Sequence, residues 1–161
     1  MKKYELTEET VAVYGKTLYR IRAVRDFGSV KTGEFGGYIE KEENLSHFGN
    51  AWVSGNAKVS GNARVSGDAK VCGNAKVCGN AEVSNTRHFF VQGPIGSRND
   101  FVTFYRTTNN TVGVRCGCFS GSLQKFVDRV EETHGGSRYE KEYKLAAELA
   151  KVCIRLEGES R

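Results

Sequence analysis

The chain has 161 residues, 27% of them charged and 39% hydrophobic, and a formal net charge of +5. Its length bounds it to one or two small domains, and its composition is that of an ordinary globular protein whose charge suits anionic partners. No apolar run reaches the roughly 18–20 residues that cross a bilayer, so no membrane partner is expected. Met1-Lys2-Lys3-Tyr4-Glu5 lacks a signal-peptide core, and five cysteines make an odd count with no small-scaffold framework, so a reducing cytosol is the expected location.

In chain order, Thr10–Tyr14 and Thr17–Val24 alternate as strands, with Gly15-Lys16 read as the hairpin turn between them. Residues 26–37 form a glycine-rich loop. Gly36-Gly37-Tyr38-Ile39-Glu40 then leads through an acidic stretch to Leu45. Ile39, Leu45 and Ala51 are spaced by six, which predicts an imperfect layer ahead of a regular repeat.

That repeat occupies residues 49–84, where GNAWVS, GNAKVS, GNARVS, GDAKVC, GNAKVC and GNAEVS follow one another without a gap. A short fixed period means units that bury their apolar edges on one another. Within each unit, Ala-x-Val-Ser/Cys alternates inward and outward, and Gly-Asn supplies the turn. Three units per layer place Lys58 over Lys76, Trp52 over Lys70 and Arg64 beside Glu82. The two stacked lysines read either as a solvated, aggregation-resistant edge or as an anion-binding stripe, and Trp52 with Lys70 as a cation–π pair. The aliphatic-then-small spacing resembles the hexapeptide repeat of left-handed parallel β-helices. That resemblance implies a triangular, left-handed coil and association as homotrimers or higher oligomers.

After Ser84 the reading changes. Phe89–Gln92, Phe101–Arg106 and Thr111–Cys116 are strand candidates, with Thr107–Asn110 as a hairpin loop. Ser120 or Ser122 caps a helix with an apolar stripe at Leu123, Phe126, Val127 and Val130. Ser137 and Glu140 form a capping box before a helix that buries Tyr139, Tyr143, Ala146, Ala147, Ala150, Cys153 and Ile154. The expected architecture is a β-helix plus an α+β unit: an N-terminal β-rich cap at 1–37, a short left-handed parallel β-helix at 38–85, and a hairpin/two-helix domain at 86–161.

The segments Thr17–Ala23, Gly36–Glu40, Asn44-Leu45-Ser46, the Gly-Asn-Ala-x-Val units, Gly96–Asn99 and Cys116–Phe119 together resemble small hexapeptide-repeat proteins encoded by phages and prophages. The resemblance covers most of the chain. It implies a phage protein working in the host cytosol and leaves its activity open.

Four functions compete, and sequence-specific nucleic-acid binding ranks last because the basic residues are scattered and no recognition motif appears. Acyltransferases occur among hexapeptide-repeat proteins and use a histidine base; only His47 and His88 flank the repeat here, and no loop interrupts it to form a groove. No Ser/His/Asp set, carboxylate pair or P-loop is present, so the chain is read as a non-enzyme. Cys116 and Cys118 lie on one strand face without further metal-ligand spacing, and Cys72 and Cys78 replace outward serines, so buried and free surface thiols are expected, with no metal and no cofactor. The second function is an interaction module docking a host protein. The third is binding of a small anionic ligand, a cyclic or linear nucleotide, as in a counter-defence sponge. Its candidate site is Gly96, Ser97 and Arg98, with Arg115, Lys125 and Phe119 converging on it. Gly96 exposes backbone amides, Arg98 offers a forked cation, the helix start at Gly121-Ser122 adds partial positive charge, and the aromatic ring stacks a base. The bland alternative is a turn on a basic surface.

Overall fold

A computed structural model describes residues 1–158; the end of the expected C-terminal domain, 159–161, lies outside them. The N-terminal strands are β1 (Tyr4–Val13), β2 (Lys16–Ala23) and β3 (Phe35–Ile39). Their first hairpin turns on Tyr14 and Gly15, both at positive φ (47° and 80°), one residue earlier than the sequence suggests. The repeat gives six two-residue strands: β4 (Trp52–Val53), β5 (Lys58–Val59), β6 (Arg64–Val65), β7 (Lys70–Val71), β8 (Lys76–Val77) and β9 (Glu82–Val83). Then come β10 (Phe89–Ile95), β11 (Asp100–Arg106), β12 (Val112–Cys116), β13 (Phe119–Ser122), α1 (Leu123–His134) and α2 (Arg138–Cys153).

These strands correct the expected left-handed parallel β-helix. One long parallel solenoid is not what they form. They divide into a mixed five-stranded sheet β1-β2-β3-β5-β8, an antiparallel sheet β10-β11-β12-β13, and two parallel pairs, β4-β7 and β6-β9. The physical reason is length. A strand of two residues makes only a few ladder bonds, so two of the parallel pairs stay isolated. The third is annexed through β3, which pairs with β2 antiparallel and β5 parallel. The eighteen-residue register is as the spacing predicts: Trp52 opposes Lys70, Lys58 opposes Lys76, and Arg64 opposes Glu82. Ile39 and Leu45 also stack on this segment, opposite Val59 and Val65, but twenty residues back. The extra two residues lie between Leu45 and Val53, which are eight apart where successive repeat valines are six apart.

Inside the repeat, Ala57, Val59, Ala63, Val65, Ala69, Val71, Ala75 and Val77 are buried. Trp52 keeps the outward position opposite Lys70 but is buried there, because the N-terminal segment covers it, with Phe27 edge-on to its ring at 5.2 Å. Lys3 is fully buried there, donating from Nζ to Ala51 O (2.6 Å) and Gly49 O (3.3 Å), with Phe27 4.7 Å below. Burial, with Arg25 adding to it, lowers this ammonium to about 8. An unfolded lysine keeps its proton to about 10.4, so between pH 8 and 9 the unfolded chain holds more protons and stability rises with pH. Raising the pH from 7 to 9 is expected to add on the order of 1 kcal/mol, read as a melting temperature higher by about 2–4 °C. Lys3→Met should melt lower at every pH and lose this upward slope; a wild-type slope that is flat or downward would contradict the reading.

The antiparallel sheet is a partition. Along β11, Thr103 and Tyr105 face the repeat, Thr103 Oγ1 accepting from Lys76 N at 2.9 Å and Tyr105 joining the repeat's core. Val102 and Phe104 face the helices, packing with Val114, Phe126, Val130, Tyr143, Ala146, Ala147, Ala150 and Ile154. The hairpin expected here is four strands, because β13 follows β12 through a two-residue turn led by Gly117 at φ 56°. Ser122 caps α1, its Oγ accepting from Lys125 N. At α2 the capping box is replaced: Ser137 Oγ donates to His134 O, and Glu140 accepts from Gly136 N. The opposite side of α2 leaves Leu145, Leu149 and Val152 exposed. Among the described residues no helix is long and apolar enough to cross a membrane.

Candidate functional site

The site residues expected from sequence do not all meet. Gly96 (φ 80°) starts the turn between β10 and β11, but its N–H is engaged, donating to Glu142 Oε1 at 2.7 Å. The turn therefore offers less open backbone than expected. Arg115 lies on the far face of the partition, because Val114 and Cys116 on either side face the helices. Its Nε donates to Gly117 O (2.9 Å), its Nη1 approaches Cys78 Sγ (3.4 Å), and its guanidinium stands 4.6 Å from the Tyr14 ring. Lys125 sits one turn into α1 beside Asp128 and Glu132, away from the turn. The α1 start contributes nothing here, since the cleft borders the C-terminal half of that helix.

Ser97, Arg98 and Phe119 do come together, around a cleft of about 250 Å³. It is closed by Cys116, Gly117 and Cys118 from the β12–β13 turn and by Arg129, Thr133 and His134 from α1. Its floor is a chain of rings. Phe119 lies 5.8 Å from Phe126, Phe126 stands edge-on to Tyr143 at 5.7 Å, and His134 lies 5.5 Å from Tyr143 at a tilt of 30°. The Arg129 guanidinium is 5.6 Å from the Phe119 ring. Among the described residues neither Arg98 nor Arg129 forms an ion pair. Burial, with the Cys116 thiol beside it, pushes the Tyr143 phenol up to about 12. Burial and then Asp100 push the Cys116 thiol up as well. At neutral pH Tyr143 and Cys116 are therefore uncharged, and Asp100 is the single carboxylate lining the cleft beside Arg98 and Arg129.

Arg129 was missed in the sequence because it is an exposed residue on a helix. The available signal was spacing: Arg129 and Thr133, and Val130 and His134, are successive-turn pairs next to Phe126. Cysteine placement also changes. Cys118 leaves the strand and is exposed in the turn, while Cys78, expected at the surface, is buried under the partition with Tyr105 Oη and Ser120 Oγ each 3.7 Å from its sulfur. Cys72 is exposed as expected. His47 and His88, the candidate acyl-transfer bases, are both held in structural bonds. His47 stacks on Tyr4 at 4.1 Å and bonds Glu42 Oε1 through Nε2 (3.1 Å). His88 is buried, and its Nδ1 accepts from Ser84 N (3.0 Å) and Asn85 N (3.2 Å).

A larger cavity of about 450 Å³ runs along the repeat, but two cations, Lys41 and Arg64, and two carboxylates, Glu43 and Glu82, line it, and no ring does. Its charges balance, whereas those of the smaller cleft do not. Compared with known proteins, the chain matches no family model and no curated relative.

Proposed function

We propose that the cleft between the β10–β11 turn, the β12–β13 turn and α1 binds a small anionic ligand of the nucleotide type. The observation that carries this reading is the pair of guanidiniums, Arg98 and Arg129, which form no ion pair among the described residues, beside a floor of aromatic rings. An unpaired guanidinium grips two phosphate oxygens at once, and Phe119 presents a ring beside it for a planar base. Small-molecule pockets begin at roughly 300 Å³, so a cleft of about 250 Å³ suits one base with one phosphate better than a dinucleotide. Holding such a molecule withdraws it from its other targets. Following the resemblance to phage proteins, we place this in a host cytosol as a counter-defence sponge for a nucleotide signal. Calorimetric titration with linear and cyclic mononucleotides tests it. At least one is expected to bind with a Kd below about 100 µM; silence across the panel at that concentration would refute the reading.

A further inference from the structure

Arg20, Tyr38, Lys58 and Lys76 stand on four neighbouring strands of the mixed sheet, β2, β3, β5 and β8, and they are in register. Arg20 opposes Tyr38, Tyr38 opposes Lys58, and Lys58 opposes Lys76. Adjacent strands lie about 4.8 Å apart, so the row runs about 14 Å across the sheet. Two aromatic rings, Tyr38 within the row and Phe35 beside Arg20, lie among its cations. The Arg20 guanidinium is 5.0 Å from the Phe35 ring and 6.0 Å from the Tyr38 ring, and Lys58 Nζ is 5.7 Å from Tyr38. Phe35 is 52% exposed, an open ring at one end.

Charge along the row is uneven. Glu9 at the Arg20 end bonds Arg20 Nη1 (3.1 Å) and Tyr38 Oη (2.9 Å). At the other end, among the described residues, neither Lys58 nor Lys76 has a carboxylate partner. Like charges directly opposite on neighbouring strands destabilise a sheet. Burial, and Lys76 beside it, hold the Lys58 ammonium below the usual lysine range. A polyanion laid across the strands removes that repulsion.

We propose that this row is a docking surface for single-stranded nucleic acid, with phosphates against Arg20, Lys58 and Lys76 and a base against the Phe35–Tyr38 rings. The rings decide the class of partner. A cationic strip alone fits any polyanion, but rings interleaved with cations match a chain that alternates phosphates with exposed base faces. A duplex hides those faces in its stack. The surface lies on a different sheet from the nucleotide cleft and rests on different residues.

Fluorescence anisotropy with a labelled oligo-dT of about twelve nucleotides tests it. Binding is expected at about 50 mM salt, weakening with a log–log slope near −2 if about three phosphates are engaged. The double variant K58E/K76E should lose more than about tenfold in affinity, and Phe35→Ala about fivefold or more, while both melt within a few degrees of wild type. No binding at low salt, or an unchanged affinity in K58E/K76E, would overturn the proposal. So would displacement by inorganic polyphosphate together with no effect of Phe35→Ala, which would mark a general anion strip.

Discussion

Val65→Asp is expected to leave no cooperatively folded protein at 25 °C. Val65 is buried in the repeat, opposite Val83 on one side and bridged to Leu45 on the other. The residues paired with it, Leu45 and Val83, are aliphatic, so the carboxylate must either ionise unpaired or take up a proton. Either costs several kcal/mol, on top of the lost methyl groups. A protein of this kind has only about 5–15 kcal/mol of stability in total. Circular dichroism should show a lost or non-cooperative melt, whereas Val65→Ala should still melt cooperatively at a lower temperature. A Val65→Asp melt matching wild type would mean that the valines do not face the core.

Gly96→Ala is expected to be the second most damaging change. Gly96 has φ 80°, a region costly for any residue with a side chain, and an added Cβ would overlap Tyr143 Oη. Tyr143 packs against Phe126 and cannot yield without disturbing the ring chain under the cleft. The combined penalty is about 3 kcal/mol or more, a drop in melting temperature of about 6 °C or more. Gly117→Ala is the control. It shares a positive φ (56°) but has open space around it, so only the backbone cost of about 1 kcal/mol applies. Equal melting temperatures for the two variants would show that the Tyr143 contact does not hold the turn.

The sequence made local order legible and long-range assembly much less so. The six-residue period states directly which alanines and valines turn inward and which residues stack eighteen apart, because both follow from geometry within the repeat. It cannot say that β3 joins the repeat to an antiparallel hairpin, and this join is what makes the sheets mixed. Cys78 illustrates the same limit. Its outward position is right, but Tyr105, Arg115 and Ser120 arrive from far along the chain to bury it. Arg115 was misplaced although a signal existed. Strand alternation puts it on the opposite face from Val114 and Cys116, hence away from Arg98. Arg98 and Phe119 were legible from turn chemistry, whereas Arg129 becomes visible only when α1 is docked on the sheet.

The reading of the cleft as an anion site rests on its two guanidiniums. The measurement that tests it most directly is the affinity of the best-binding mononucleotide for wild type, Arg98→Ala and Arg129→Ala, with melting temperatures taken alongside. Each charged hydrogen bond contributes about 1.5–3 kcal/mol, so each substitution should weaken binding by roughly ten- to a hundredfold. Both arginines are exposed and form no ion pair among the described residues, so the melting temperature should move by no more than about 2 °C. Unchanged affinity in both variants, or a large fall in melting temperature with no change in affinity, would contradict it.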